Sequence, residues 1–121
     1  MTDQPLTTWF EIPTTDYPRA KAFYEAVFAT KLHEETHQDL TMAIFPHTEP
    51  HSGGAVVKCP QSTPSDNGVV VYLYTMELDA TLARIEANGG SIVLPKTEIP
   101  AGIIALFIDS EGNRVGLHSQ G

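Results

Sequence analysis

The feature that most constrains this sequence is the similarity between its two halves. An offset of 61 residues places Ala22 on Ala83 and Glu25 on Glu86, and the predicted elements follow in the same order in both halves. In a chain of 121 residues, such an internal duplication predicts two copies of one small supersecondary unit that share a hydrophobic core.

The first half predicts a β-α-β-β-β unit. Thr8–Ile12 is a β-prone run whose side chains alternate between two faces. After Asp16, which is a suitable helix cap, apolar residues from Ala20 to Phe28 recur at the spacing of one helical stripe. Three further strands are predicted at residues 31–35, 40–45 and 54–58.

The second half repeats this pattern. A β-prone run over 69–74 precedes a helical stripe through Leu78, Leu82 and Ile85, and Asn88-Gly89-Gly90 is a typical helix end. Three strands follow, at residues 91–94, 103–108 and 114–118. We therefore expect a single α+β domain, with units at about 7–58 and 68–118 that are joined by a linker at 59–67.

Composition excludes several function classes. Seven Lys and Arg against fifteen Asp and Glu give a net charge of −8, and the chain has no basic run that could hold nucleic acid. No apolar stretch approaches the roughly 20 residues of a membrane span, and the first residues do not resemble a secretory signal. The single cysteine, Cys59, excludes an internal disulfide. These features predict a cytoplasmic protein.

Several short motifs resemble the vicinal oxygen chelate superfamily, which includes glyoxalase I, bleomycin-resistance proteins and extradiol dioxygenases. They are Phe10-Glu11-Ile12-Pro13 with Asp16, Arg19-Ala20 and Phe23-Tyr24 in the first helix, and the turn Asp109-Ser110-Glu111-Gly112-Asn113 near the end. The resemblance implies two β-α-β-β-β units that form an open, curled mixed sheet, or cup, with the helices on its outside. It also implies a small-molecule ligand and a homodimer.

The resemblance also implies where a divalent metal would be held. In metal-dependent members, four His, Glu or Gln side chains from the first and last strands of the two units bind the ion. The matching positions here are Trp9, Lys58, Val70 and Gly116, none of which offers a ligand atom suited to a cation. We therefore expect no metal site and no cofactor.

Strand alternation then predicts what lines the cup instead. Residues two positions apart on a strand point to the same face, so the former ligand positions define the inner set. Gly116 is expected to leave open space where a ligand side chain would stand. The predicted ligand-binding residues are Trp9, Glu11, Lys58, Tyr72, Tyr74, Arg114 and His118.

Each of these residues also has a structural interpretation. Glu11 could form an internal ion pair with Lys58 or Arg114, His118 could be a solvated residue at a strand end, and the two tyrosines could be core aromatics. The other histidines, at positions 33, 37, 47 and 51, are expected to be solvated.

The sequence favours binding of a small organic molecule in a metal-free cup. One alternative is a metal-independent enzyme in which Glu11 or His118 acts as the base and Arg114 or Lys58 holds an anionic substrate. The other is a metal-dependent enzyme of the lyase, isomerase or dioxygenase type whose ligands are misaligned here, with Glu11 and His118 as the candidate donors.

Overall fold

The fold is described from a computed structural model, which covers residues 6–48 and 53–120. The first unit consists of β1 (Trp9–Pro13), α1 (Tyr17–Val27), β2 (His33–His37), β3 (Leu40–Ile44) and β4 (Gly53–Lys58). The second consists of β5 (Tyr72–Tyr74), α2 (Leu78–Ala87), β6 (Ser91–Ile99), β7 (Gly102–Ile108) and β8 (Arg114–Ser119). The predicted order of elements is confirmed.

Each unit contributes one four-stranded mixed sheet. The strand orders are β1-β4-β3-β2 and β5-β8-β7-β6, and in each sheet the first two strands are parallel while the others are antiparallel. Glu11 pairs with Ala55 and Tyr72 pairs with Gly116, so the 61-residue offset holds for both partners. The α+β fold with duplicated β-α-β-β-β units is confirmed.

Both helices begin and end where the sequence predicts. The Asp16 side chain accepts a hydrogen bond from the Arg19 amide at 3.1 Å, which caps α1. At the end of α2, Gly89 has φ +97° and the Gly90 amide donates to the Ile85 carbonyl at 2.9 Å. This left-handed turn is one that glycine adopts without strain.

The two units share one hydrophobic core. Phe23 and Tyr24 of α1 are buried together with Phe107 and Leu117 of the second sheet, and the ring centroids of Phe23 and Phe107 are 6.3 Å apart. Full burial of such side chains stabilises the fold by roughly 1.5–3 kcal/mol each. The core therefore fixes the position of one sheet relative to the other.

A set of polar contacts, which we call the seam, joins the units at one end. The Tyr24 hydroxyl donates to the buried Asp109 carboxylate at 2.6 Å, and the Asn113 side-chain amide donates to the Pro13 carbonyl at 2.8 Å. Glu111 accepts hydrogen bonds from the Asp16 amide at 2.7 Å and from Arg19 at 2.8 Å. The seam thus ties the β1–α1 corner to the β7–β8 turn.

Strand β5 is shorter than predicted, because only residues 72–74 of the expected 69–74 form a strand. The Gly116 amide donates to the Val71 carbonyl at 2.9 Å, but the Arg114 amide donates to Ser65 of the linker at 3.2 Å. Since a linker carbonyl takes this bond, the residues before Val71 have no partner strand. β6 extends to Ile99 rather than ending at 94, with irregular pairing on both sides of Leu94.

No helix among the described residues is long and apolar enough to cross a membrane.

Candidate functional site

A cleft of about 850 Å³ lies between β1 and β5. Both strands lie at the end of their own sheet and hydrogen-bond to a neighbour on one side only. The first unit lines the cleft with Trp9, Phe10, Phe28, Phe45 and His47, and the second with residues 69–74. Both units therefore contribute walls to one site.

Three aromatic rings of the cleft lie against glycines, and two of them are Tyr72 and His47. Gly116 pairs with Tyr72, and a Cβ atom at Gly116 would overlap the Tyr72 ring. In the same way, a Cβ at Gly53 would come within 2.8 Å of Nδ1 of His47. The prediction that Gly116 leaves open space is wrong, because the ring of Tyr72 fills it.

The rings at the mouth of the cleft are unusually exposed for their size. Trp9, Tyr72 and Tyr74 keep 37%, 48% and 53% of their surfaces accessible, so they are not core aromatics. Trp9 is held by a hydrogen bond of 3.3 Å from its indole Nε1 to Glu11 and by edge contact with His47, at a centroid separation of 6.4 Å. Large apolar surface that stays accessible in a concavity is typical of a binding site.

The lining of the cleft carries little charge. None of the described lining residues is Asp, Glu, Lys or Arg. Its polar groups are the ring nitrogens of His47, the tyrosine hydroxyls and threonine hydroxyls such as that of Thr30. The site therefore offers flat apolar faces and hydrogen-bonding groups, with no carboxylate, ammonium or guanidinium group among the described lining residues.

Lys58 lies on the opposite face from the one predicted. The pairing of β1 with β4 sets Val56 beside Ile12 in the core, so Lys58, two residues later, faces the helix side. There it borders a shallow groove with Tyr17, Lys21 and Glu34. The predicted orientation of β4 is wrong, because Ala55-Val56-Val57 are uniformly apolar and their sequence does not reveal which face is buried.

The other predicted charged residues do not line the cleft either. Glu11 lies on β1 next to the cleft through its bond to Trp9, and Arg114 is exposed at the start of β8. Within residues 6–48 and 53–120, no ion pair joins Glu11 to Lys58 or Arg114. The internal ion pair considered from the sequence is therefore not formed in the described part of the chain.

His118 is engaged through one ring nitrogen. Its Nε2 lies 2.8 Å from the Ala101 carbonyl oxygen, and because a carbonyl can only accept, Nε2 carries the hydrogen. The ring also lies 6.1 Å from that of Tyr74, so His118 is beside the wall of the cleft but not part of its lining.

The residues at the expected metal positions do not fit a divalent ion. Trp9 and Val70 provide no ligand atom, and Gly116 is covered by Tyr72. The 61-residue offset assigns Ala55, not Lys58, as the counterpart of Gly116, and alanine also lacks a donor. Nowhere in the described part of the chain do three His, Cys, Asp or Glu residues form a group that could hold a metal.

The remaining predicted polar residues lie apart from the cleft or outside the description. His33 and His37 are exposed on β2, as predicted, where both approach Glu35, at 3.2 Å and 3.5 Å. The Cys59 thiol is half-buried and lies 3.3 Å from the Gln61 side chain. His51 lies outside the described residues.

Sequence reasoning missed two walls of the cleft. His47 is exposed, as expected, but it also lines the cleft, and so does Phe28 at the end of the predicted helical stripe. The available signal was the Gly53-Gly54 pair at the start of a strand, since glycine in a strand often marks close approach of another group. A ring packs against each of these glycines: His47 against Gly53 and Phe10 against Gly54.

Comparisons with known proteins agree with this architecture. The sequence model of the Glyoxalase/Bleomycin resistance protein/Dioxygenase superfamily matches residues 7–117. No protein with a curated description matches the sequence.

Solved structures with the same fold come from bacteria and plants. A glyoxalase/bleomycin resistance protein from Albidiferax ferrireducens T118 has a TM-score of 0.71 at 19% identity, with 97% of this chain and 100% of that chain covered. TnmS3, an antibiotic binding protein from Streptomyces sp. CB03234, has a TM-score of 0.69 at 22% identity, with both chains fully covered. The V278E mutant of glyoxalase I from Zea mays has a TM-score of 0.71 at 18% identity, covering 93% of this chain but 45% of that one.

Proposed function

This chain belongs to the glyoxalase/bleomycin resistance protein/dioxygenase superfamily, and from that premise we propose that it binds a small organic molecule in the cleft between β1 and β5, without a metal ion. Because proteins that share a fold can differ in their chemistry, the site itself must carry the argument.

The observation that carries the proposal is the accessible aromatic cleft built by both units. Its volume of about 850 Å³ lies within the range of roughly 300–1,000 Å³ found for small-molecule sites. Trp9 and Tyr74 stay accessible, although burying rings of this size is favourable. A ligand that covers them would gain that free energy on binding.

The absence of a metal from the proposal follows from the residues at the expected ligand positions. With Ala55 in the place first assigned to Lys58, these positions hold Trp9, Ala55, Val70 and Gly116. Their side chains leave a cation without oxygen or nitrogen ligands. We therefore assign the binding energy to stacking and neutral hydrogen bonds. Sequestration of a small molecule, in the manner of an antibiotic binding protein, is the form of activity that this arrangement supports best.

Trp9 provides the test, because it is the only tryptophan of the chain and lines the cleft. We expect hits from a library of small organic molecules to change its fluorescence saturably and to raise the melting temperature by mass action. The variant Tyr74→Ala removes a wall of the cleft and should weaken hits by about tenfold, as expected for the loss of one or two kcal/mol of aromatic contact.

Val93→Ala is the matched control, because Val93 is also an exposed apolar residue, at 44%, but lies on β6 away from the cleft. It should bind the same hits as the wild type. Equal losses in Tyr74→Ala and Val93→Ala would show that the binding site lies elsewhere.

We further propose that the two units act as one domain and that two copies of the chain associate in the cytoplasm. Met76, which is 84% exposed, is an apolar residue that such an interface could cover. Light scattering coupled to size-exclusion chromatography measures the mass of the assembly, and cell fractionation measures the compartment. A monomer at micromolar concentration would contradict the association.

A further inference from the structure

We infer that the ligand of this cleft is an uncharged, planar aromatic molecule. The inference rests on the proposed binding function and adds the chemical class of the ligand.

Charge complementarity argues first against an anion. No Lys or Arg is among the described lining residues, and the chain carries a net charge of −8. An anion in the cleft would lose its hydration without gaining an ammonium or guanidinium partner, and the field of the protein would repel it. The sequence suggested that Arg114 or Lys58 could hold an anionic substrate, but neither residue is among the described lining residues.

The net charge of −8 attracts a cation to the protein, but the described lining of the cleft gives it no ionic partner. No carboxylate is among the described lining residues, and the nearby Glu11 already accepts a hydrogen bond from the Trp9 indole. Cation–π attraction could offset part of the lost hydration but is modest at an exposed site. A neutral molecule avoids this desolvation cost.

The orientation of the rings argues for a planar ligand. Since Gly116 lacks a side chain, the Tyr72 ring lies directly against β8, and the 48% of this residue's surface that stays accessible is left for a ligand. On the other side of the cleft, in the first unit, contacts with Glu11 and His47 hold the Trp9 ring in place. Fixed flat surfaces favour a flat partner, because stacked and edge-to-face ring pairs add about 0.5–1.5 kcal/mol beyond burial.

The tyrosine hydroxyls add a polar requirement. Neither the Tyr72 nor the Tyr74 hydroxyl hydrogen-bonds to another described residue, so both can donate to or accept from a ligand. A hydroxyl or carbonyl group on the edge of the aromatic system would meet them. The inferred class is therefore a hydroxylated or oxo-substituted aromatic without formal charge.

Four probes of nearly equal size separate charge from planarity. They are 2-naphthol, which is neutral at pH 7, naphthalene-2-carboxylate, 2-naphthyltrimethylammonium, and the saturated decahydro-2-naphthol. Calorimetric titration of the full chain should rank 2-naphthol first, with the two ions weaker by about tenfold or more and the saturated alcohol weaker by about fivefold.

Gly116→Ala tests whether the packing of the Tyr72 ring against Gly116 sets the preference for planar ligands. The added methyl group must displace the Tyr72 ring, which is half-exposed and can move toward solvent without unfolding the protein. We expect the ratio of affinities for 2-naphthol and decahydro-2-naphthol to approach one. Gly68→Ala is the control, because a Cβ there meets only Ser65 Oγ, at 3.8 Å, and the ratio should not change.

The outcomes separate this inference from the proposed function. Tightest binding by an ion or by the saturated alcohol, with a change in Trp9 fluorescence, would overturn the ligand class and leave the cleft as the binding site. If Gly116→Ala leaves the ratio of affinities for 2-naphthol and decahydro-2-naphthol unchanged, the packing of Tyr72 against Gly116 does not set the preference for planar ligands. Failure of all four probes to bind would overturn the inference and remove support from the proposed function as well.

Discussion

The seam and the cleft both lie between the same two units, but the seam consists of buried polar groups and the cleft of accessible aromatic rings. At the seam, buried polar groups are hydrogen-bonded across the junction, and Asp109 alone accepts bonds from Tyr24, Glu111 and Asn113. At the cleft, the edges of β1 and β5 face each other without pairing, and their aromatic rings stay accessible.

This difference separates stability from binding. A buried polar network is costly to break but leaves no free group for a ligand, and in the described residues no buried side-chain polar atom lacks a partner. An accessible aromatic surface contributes less to folding and retains free energy for a ligand. We therefore expect substitutions at the seam to change stability and those at the cleft to change binding.

The largest effect is expected from Asp109→Ala. It leaves the buried Tyr24 hydroxyl without its acceptor and removes the bonds from the Glu111 and Asn113 amides, at 2.8 Å and 2.9 Å. Loss of such a buried network costs about 3–5 kcal/mol. Urea denaturation at pH 7 measures the free energy of unfolding.

Asp79→Ala is the control for this prediction, because Asp79 is exposed and its ion pair with Lys96 at 3.0 Å is a surface pair. Such pairs contribute roughly 0–1 kcal/mol. Equal destabilisation by the two variants would contradict a special role of the seam.

A smaller effect is expected from pH. Burial alone would raise the pKa of Glu111, but hydrogen bonds from Arg19 and from the Asp16 and Thr15 amides outweigh it and lower the pKa from 4.5 to about 2. A lowered folded-state pKa means that the stabilisation is complete above pH 4.5 and is lost as the pH falls toward 2. Because Arg19 is half-exposed and the pair is screened by solvent, we expect a loss of about 1–2 kcal/mol.

Free energies of unfolding measured between pH 6 and pH 2.5 check this prediction. Glu111→Gln should be less stable than the wild type at pH 6 and should lose less stability on acidification. Parallel curves for the two proteins would show that Glu111 does not carry the acid sensitivity.

The smallest effect on stability is expected at the cleft. Tyr74→Ala removes a ring that is already 53% exposed, so the free energy of unfolding should fall by less than about 1 kcal/mol. Urea denaturation next to the binding titration measures both quantities in one variant. A stability loss as large as that of Asp109→Ala would remove the distinction between the two regions.

The sequence predicts the fold where local signals repeat. The helical stripe from Ala20 to Val27, the Asp16 cap and the Asn88-Gly89-Gly90 end each specify one conformation, and the structure contains all three. Strand β5 was overestimated, because β-propensity cannot show that Ser65 takes the hydrogen bond expected for the start of the strand.

The site was predicted in part. Strand alternation, counted from the positions that match the family's metal ligands, predicted Trp9, Tyr72 and Tyr74, and all three line the cleft. The uniform Ala55-Val56-Val57 run concealed the orientation of Lys58. The packing of His47 on Gly53 and of Tyr72 on Gly116 is only partly visible in the sequence. The Gly53-Gly54 pair signals the close approach of another group, but it does not show which ring approaches.

The most direct test of the central claim is a titration of the protein with 2-naphthol, monitored by Trp9 fluorescence, after dialysis against EDTA and again with added Zn²⁺ or Mn²⁺. A metal-free aromatic cleft predicts a saturable change with the same dissociation constant under all three conditions, because the described lining residues supply no metal ligand set. Binding that disappears after EDTA treatment and returns with either ion would contradict this account.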